Sequence, residues 1–263
     1  MRVFVFASGS SGNCLLISGR AGNVLVDAGI SARRIEGCLR EVNLSTEDIN
    51  GVLITHEHSD HIMGLKTLIK KHAVRLYAPR TVAYRLEGML PDSREHMTVI
   101  PVGQSFKIAG MNILAFHTPH DTDESVGYRI EADGIFAVAT DMGHVSEEVE
   151  QGLCGADTVL LEANHDEEML RYGSYPVYLK RRILSPRGHL SNADCAALAA
   201  RLVKSGTRRV ILGHLSRENN SPAKAMSETM RSLEGSGAEL YCAPVLGRLC
   251  VKISDNEVEA CSM

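Results

Sequence analysis

Short apolar runs recur along the chain, at 3–7, 14–17, 24–26, 52–54, 113–116, 135–139, 159–161 and 210–212, and Gly, Asn or Asp bounds many of them. Runs of this length with this punctuation predict buried strands. Helical patterns lie between them. Residues 61–72 place Ile62, Leu65, Leu68 and Ile69 on one helical face, and residues 192–204 place Leu198 and Leu202 at i, i+4 behind a Ser191-Asn192 capping signal. Ser221-Pro222 opens a third helix, because a proline in the first turn gives up only an N–H that the helix could not pair.

The first half is strand-rich with hairpin-like spacing, and the second alternates strand with helix. No Pro, Ser or charge-rich linker separates them, so one domain spanning 1–263, with two layers of sheet and outer helices, is expected. The halves echo each other faintly: Leu25-Val26-Asp27-Ala28-Gly29 and Ala139-Thr140-Asp141-Met142-Gly143 each close an apolar strand on Asp-x-Gly.

Of 263 residues 44% are hydrophobic and 23% charged, which is globular composition, and no run approaches the ~20 apolar residues of a membrane span. The opening Met1-Arg2-Val3-Phe4-Val5-Phe6 breaks at once into Gly9-Ser10-Ser11-Gly12 and reads as a first strand rather than an export signal, so a cytoplasmic location is expected. Seven cysteines form no Cys-x-x-Cys pair, which points to reduced thiols. With 28 basic against 32 acidic residues the formal charge is -4, and the chain as a whole does not attract nucleic acid. Such a partner needs a local basic patch, which Lys180-Arg181-Arg182 with Arg187 offers, or bound divalent metals.

The sharpest chemistry is Thr55-His56-Glu57-His58-Ser59-Asp60-His61, between an apolar run and an amphipathic helix. Residues two apart on an extended segment point the same way, so His56 and His58 can offer imidazoles to one metal; where the chain turns into the helix, Asp60 and His61 can diverge toward a second. Two metals ~3.5–4 Å apart could thus be addressed by six residues. The bland alternative is a polar loop with Asp60 capping the helix. Further ligand candidates stand after apolar strands: His120 in Thr118-Pro119-His120-Asp121, Asp141, and His214 in Leu212-Gly213-His214.

His-x-His-x-Asp-His after a strand, Asp27 in Val-Asp-Ala-Gly, His120, Asp141 and His214 together resemble the five motifs of the metallo-β-lactamase fold, over nearly the whole chain. The resemblance implies an α/β fold, a four-layer αββα sandwich with metals at strand ends. It implies His56, His58 and His120 on one metal, Asp60, His61 and His214 on the other, Asp141 bridging both, and Asp27 orienting the cluster from behind. His117 competes with His120. The order His120-Asp121 then Val126-Gly127-Tyr128 resembles the His…Gly-Tyr stretch of the phosphodiesterase branch and favours His120, leaving His117 as a strand residue.

Imidazoles with carboxylates suit two Zn²⁺ ions, with Mn²⁺ or Fe as alternatives, and such metals lower the pKa of a bound water to about 7, which makes hydrolysis the reaction class. A flavodiiron oxygen-reducing centre is disfavoured, because that branch places a carboxylate where this chain has His58. Glu162 and His189 resemble the Glu and His pair of the nuclease branch, where the histidine faces the scissile phosphate. An imidazolium held by a carboxylate there could stabilise phosphoryl charge or protonate the leaving oxygen. Asp60, or Asp141 through the bridging water, could accept the proton.

Three stretches, Gly9-Ser10-Ser11-Gly12-Asn13, Glu162-Ala163-Asn164-His165-Asp166 and Gly213-His214-Leu215-Ser216-Arg217-Glu218-Asn219-Asn220, resemble the YycJ/WalJ group of bacterial proteins. That resemblance implies a 5′-to-3′ exonuclease on double-stranded DNA, with nucleic-acid ends as the substrate and no membrane. The residues themselves leave roles open. Ser11 and Asn13 sit in a turn that could meet a phosphate or simply close a hairpin; His165 could join the active-site wall or start a helix; Arg217 and Asn219 could touch a nucleic-acid backbone or face solvent. Lys180-Arg181-Arg182 could bind phosphate or be a solvated helix face. A thioesterase or lactonase on the same fold, and a non-catalytic partner protein stabilised by metals, are the rival readings. No stretch specifies a protein partner.

Overall fold

The computed structural model describes residues 1–245 and 247–253. All eight apolar runs are strands or lie almost wholly within one. One seven-stranded sheet contains β1 (Arg2–Ala7), β2 (Cys14–Ser18), β3 (Asn23–Val26), β4 (Ile49–Leu53), β5 (Leu76–Ala78), β6 (Met97–Val99) and, from the far end of the chain, β14 (Leu249–Lys252), in the order β14-β1-β2-β3-β4-β5-β6. The other contains β7 (Ser105–Ile108), β8 (Met111–His117), β9 (Val126–Ala132), β10 (Gly134–Ala139), β11 (Thr158–Glu162), β12 (Arg209–Gly213) and β13 (Glu239–Cys242), in the order β13-β12-β11-β10-β9-β8-β7. Both sheets are mixed. Strands β14, β1, β2 and β3 pair antiparallel, whereas β3 to β6 and β10 to β13 run parallel.

By density of contacts the described residues divide into two compact units: 1–115, 130–134, 244–245 and 247–253 form the first, 116–129 and 135–243 the second. In the first, α1 (Ala32–Glu41), α3 (Leu65–His72) and α4 (Arg80–Met89) lay Ile35, Leu39, Leu65, Leu68, Val82 and Leu86 into a core with Phe4, Phe6, Leu16, Leu25 and Val52 from the strands. In the second, α5 (Glu147–Leu153), α8 (Asn192–Lys204) and α9 (Pro222–Ser232) contribute Val149, Leu153, Leu198, Leu202 and Ala225 to a core with Ala137, Ala139, Val159, Leu161, Val210 and Leu212. Each fully buried Leu or Ile is worth about 1.5–3 kcal/mol of hydrophobic stabilisation.

The capping signals act as expected. The Ser191 side chain accepts from the Asp194 N–H at the start of α8, and Ser221 from Lys224 at the start of α9. The helix expected over 61–72 differs. It is two helices, α2 (Ser59–Ile62) and α3, parted at Met63-Gly64. The Gly64 N–H donates to the Ala28 carbonyl at 2.8 Å, and a Cβ on Gly64 would come within 2.4 Å of the Ile30 carbonyl oxygen. Close approach to the 28–30 loop interrupts the helix, and the continuous apolar face gives no sign of it. Asp60 does not cap α2 either, since His58 holds the N-cap position with no side-chain bond.

The register of the parallel strands sets the height of the residues beyond their ends. Ala139, Leu161 and Leu212 share one rung across β10, β11 and β12, and Glu162 pairs with Gly213 on the next. No disulfide forms among the described residues; Cys261 lies outside them. No described helix is long and apolar enough to cross a membrane.

Candidate functional site

In the first unit the chemistry gathers at the carboxyl ends of β3 and β4, where parallel strands present their loops. Asp27 comes directly after β3 and adopts φ 61°. Left-handed backbone in a non-glycine residue costs about 1–3 kcal/mol and persists where surrounding bonds fix it. Here they do: Asp27 accepts from the Thr55 N–H at 2.9 Å and from the Thr55 hydroxyl at 2.9 Å, and its Oδ2 lies 2.7 Å from Nδ1 of His61. Burial raises the Asp27 pKa, with the charge and hydrogen bonds of His61 and Thr55 opposing.

The loop after β4 brings two pairs of donor atoms together. Nε2 of His56 lies 3.1 Å from Nδ1 of His58, their rings edge to face. Nε2 of His61 lies 3.5 Å from Oδ2 of Asp60. These are the pairs the His-x-His-x-Asp-His spacing predicts. The other nitrogen of two rings is engaged behind them, His56 Nδ1 by the Thr55 hydroxyl at 3.0 Å and His61 Nδ1 by Asp27. A ring anchored through Nδ1 presents Nε2 in a fixed tautomer, the usual arrangement behind a metal-ligating histidine.

Asn13 closes the turn at 9–13 rather than lying open to solvent. Its side-chain oxygen accepts from the Gly9 N–H at 2.9 Å. Its amide nitrogen lies 3.1 Å from His61 Nε2 and 3.4 Å from Asp60 Oδ2. A donor on both groups marks the point on which they converge. Ser11, in the same turn, is exposed.

In the second unit Asp141 comes after β10 with φ 57°, and His214 after β12 with φ 54°. Donor atoms of Asp141, Glu162, His189 and His214 all lie within 4.8 Å of one another. Asp141 Oδ1 is 3.5 Å from His214 Nε2 and 3.8 Å from His120 Nε2. Glu162, the last residue of β11 and fully buried, is the hub. Its Oε1 lies 2.7 Å from His189 Nδ1 and 2.8 Å from His214 Nδ1, while Oε2 accepts the N–H groups of Met142 and Leu190 at 2.9 and 3.1 Å. Burial alone would raise its pKa, but the His189 charge and the bonds from His189 and His214 pull it down to about 2. Burial likewise opposes protonation of His189, and Glu162 outweighs it, so the His189 pKa is raised.

His120 is buried and its Nδ1 points to the Gly188 carbonyl at 3.3 Å, leaving Nε2 presented as in His56, His61 and His214. Burial lowers its pKa toward the neutral ligand form. His117, three residues earlier, ends β8 and turns to Glu148 at 3.0 Å with its side chain half exposed. The four rings anchored through Nδ1, with carboxylates among them, are a donor set suited to divalent metal ions of the Zn²⁺ type.

The Asp-x-Gly echo is a repeated device. After each left-handed aspartate the glycine two residues on packs against a neighbouring loop: a Cβ on Gly29 would fall 1.6 Å from the Asp60 carbonyl oxygen, and one on Gly143 would fall 2.4 Å from the Gly188 nitrogen.

Other expected residues are placed differently. Asn219, expected at a nucleic-acid backbone, is buried, its side-chain oxygen packed where a Cβ on Gly173 would stand 2.8 Å away. His165 is also buried, bridging Ser191 through its backbone, and burial lowers its pKa. Arg217 is exposed. In the basic run, Lys180 donates to the Arg171 and Gly173 carbonyls at 2.9 and 2.7 Å, Arg182 pairs with Asp121, and Arg187 donates to the His120 carbonyl at 2.7 Å. Three supporting groups escaped sequence reasoning: the Thr55 hydroxyl, the Gly188 carbonyl, and the Asn164 amide, which donates to the His214 carbonyl at 3.1 Å.

The sequence matches the family described as a beta-lactamase superfamily domain over residues 22–215. It is 40% identical over 222 residues to an exodeoxyribonuclease WalJ of Streptococcus pneumoniae serotype 2, covering 82% of each chain. It is 36% identical over 237 residues to an exodeoxyribonuclease YycJ of Bacillus anthracis, covering 89% of each. The metallo-beta-lactamase fold protein YhfI from Bacillus subtilis superposes with a TM-score of 0.73 at 16% identity, covering 95% of this chain and 98% of that one.

Proposed function

Because this chain belongs to the beta-lactamase superfamily and has its metallo-β-lactamase fold, we propose that it is a metal-dependent hydrolase of phosphodiesters, a 5′-to-3′ exodeoxyribonuclease. Residues 1–263 then make one catalytic domain, and a cytoplasmic location suits a nuclease of DNA ends. The family resemblance assigns His56, His58 and His120 to one metal, Asp60, His61 and His214 to a second, and Asp141 to both. The anchoring of four of these histidines through Nδ1 supports that assignment. Two Zn²⁺ ions, or Mn²⁺ or Fe in their place, would make hydroxide available at neutral pH and offset charge on the nonbridging phosphate oxygens.

The observation that carries the phosphodiester reading is the single Glu162 oxygen shared by His189 and His214. It raises the pKa of the His189 imidazole, which stands beside His214. A phosphodiester is anionic before attack and throughout it and gains from a second cation at every stage, whereas a thioester or lactone bears charge on oxygen only once attacked, which disfavours the thioesterase reading. His189 protonates the leaving oxygen, Glu162 holds the ring in place for that transfer, and Asp60 or Asp141 accepts the proton from water.

Among the residues expected to meet substrate, Ser11 and Arg217 keep that role because they are exposed. Asn13 supports the loop that carries Asp60 and His61 through its contacts with both, while His165 and Asn219 are buried with side-chain polar atoms that have no hydrogen-bond partner among the described residues, and they keep the role of meeting substrate.

The test is degradation of a 5′-phosphorylated linear DNA duplex labelled at either end, with Mn²⁺ or Zn²⁺ supplied and His58→Ala alongside. Release of the 5′ label by the wild type alone is expected. Hydrolysis of a thioester without any cleavage of DNA, RNA or a small phosphodiester would overturn the reading.

A further inference from the structure

Residues 169–193 contain no Asp or Glu, yet carry Arg171, Lys180, Arg181, Arg182 and Arg187, in a chain whose formal charge is -4. The same stretch holds Tyr172, Tyr175 and Tyr178, three of the seven tyrosines. Its first four residues complete α6 (Glu167–Tyr172), which opens on the exposed Glu167 and Glu168, and it continues through α7 (Val177–Ile183), closed into a hairpin by the Lys180 ammonium on the Arg171 and Gly173 carbonyls. Apolar and aromatic groups face outward here against the usual rule. Tyr172 is 81% exposed, Tyr178 75%, Val177 63% and Leu184 54%.

The hairpin is tied to the chemistry of its own unit. The His189 N–H donates to the Ile183 carbonyl at 3.0 Å, and no side chain fits at Gly188, where a Cβ would lie 2.1 Å from that oxygen. Arg182 reaches Asp121, the neighbour of His120. Tyr178 stands one helical turn from Arg181 and Arg182, so it shares their face of α7. Arg181 is exposed on that face.

We propose that the tyrosine-bearing face of α7, together with the exposed Tyr172 at the end of α6, is the docking surface for the nucleic-acid strand, with bases stacking on Tyr178 and Tyr172 and Arg181 meeting the backbone phosphates. The proposal rests on the nuclease reading above. Interleaved aromatic and cationic groups suit a polyanion with π faces: stacking tolerates any base, and the arginine supplies sequence-independent attraction. Charge complementarity selects this occupant. A hydrophobic protein partner would not call for a 25-residue stretch purged of carboxylates, nor for a continuous backbone connection to His189.

The experiment uses the metal-loaded full chain and a fluorescent duplex whose 5′ overhang is blocked by phosphorothioates, read by anisotropy. Turnover of a small aryl phosphodiester reports that the metal centre is assembled in each variant. Tyr178→Ala and Tyr172→Ala should each weaken duplex binding roughly 5- to 150-fold without changing its salt dependence. Tyr178→Phe should restore it. Arg181→Ala should lower the log–log salt slope by about 1. Tyr84→Ala, an equally exposed tyrosine on α4, is the control and should bind as wild type does. Unchanged duplex affinity in both tyrosine-to-alanine variants, or loss of affinity in Tyr84→Ala to the same degree, overturns the docking surface while the nuclease reading stands. A wild type that neither binds nor cuts DNA overturns both.

Discussion

Asn164 donates its side-chain amide to the main-chain carbonyl of His214, a residue held at φ 54° immediately beyond β12. The bond is buried and joins the loop after β11 to the loop after β12, and it fixes the conformation from which the imidazole is presented. Asn164→Ala removes the donor and leaves the carbonyl unpaired, which should cost about 1–3 kcal/mol in urea unfolding. Zn²⁺ affinity measured by chelator competition should drop by about 10-fold or more. If affinity is retained while stability falls, the amide serves the fold and not the ligand.

Thr55→Val keeps the shape of the side chain and deletes one hydroxyl that contacts Asp27 and His56 together. The expected result is a folded protein with metal affinity lowered about 10- to 100-fold. Thr55→Ser should recover most of it. Equal affinity in Val and wild type would mean that Asp27 alone sets the orientation of these rings.

Glu162→Gln leaves the two backbone bonds to residue 162 available but removes the charge that raises the His189 pKa. Turnover of DNA should fall by about 10²–10⁴, the usual range for a lost acid catalyst. His189→Ala should fall by a similar factor, and the double variant little further, because the two act as one group. Additive losses would separate them.

Gly29→Ala forces a methyl group into the Asp60 carbonyl oxygen. The loop cannot yield without moving Asp60 and Asn13, so destabilisation of more than about 2 kcal/mol is expected, with loss of metal binding. Gly103→Ala, where a Cβ meets nothing within 4 Å but φ is 75°, isolates backbone strain from collision and should cost about 1 kcal/mol. Calorimetric melting of both variants distinguishes the two mechanisms.

Asp157 accepts from Arg208 at 2.7 Å and from the Ile135 N–H at 2.8 Å. Burial works to raise its pKa, and these bonds together with the arginine charges carry it below the ordinary carboxylate value. A carboxyl whose folded pKa is depressed adds stability above its unfolded pKa and loses that contribution as pH falls through the folded value. Asp157→Asn should therefore cost about 1 kcal/mol at neutral pH and progressively less in acid. A pH-independent difference between variant and wild type in denaturant titrations would exclude the charge as the cause.

Side chains that carry chemistry are legible in the chain because their spacing is enforced by local geometry. His56 and His58 converge since alternate residues of an extended segment share a side, and Asp60 with His61 forms the next pair where the helix starts. Apolar runs likewise announce strands, but the three-residue β5 and β6 offer too few positions for a period to show. The break at Gly64 stays hidden because a glycine inside an apolar period gives no sign of the distant loop that will press on it. The Gly188 carbonyl behind His120 is beyond any reading of residue types, since every residue has a carbonyl. Asn219 and His165 stand near ligand motifs in the chain, and only packing reveals that their side chains are enclosed.

The shared rung of Ala139, Leu161 and Leu212 bears on how such a chain can drift over generations. A strand advances by one residue per flip of side, so a single-codon insertion or deletion within β10, β11 or β12 would turn Asp141, Glu162 or His214 away from its neighbours and invert the buried faces as well. Point replacements among the apolar positions leave that alignment intact. Length variation among descendants should accordingly be confined to the connections, with the three strand interiors conserved in residue number even where little of their identity survives.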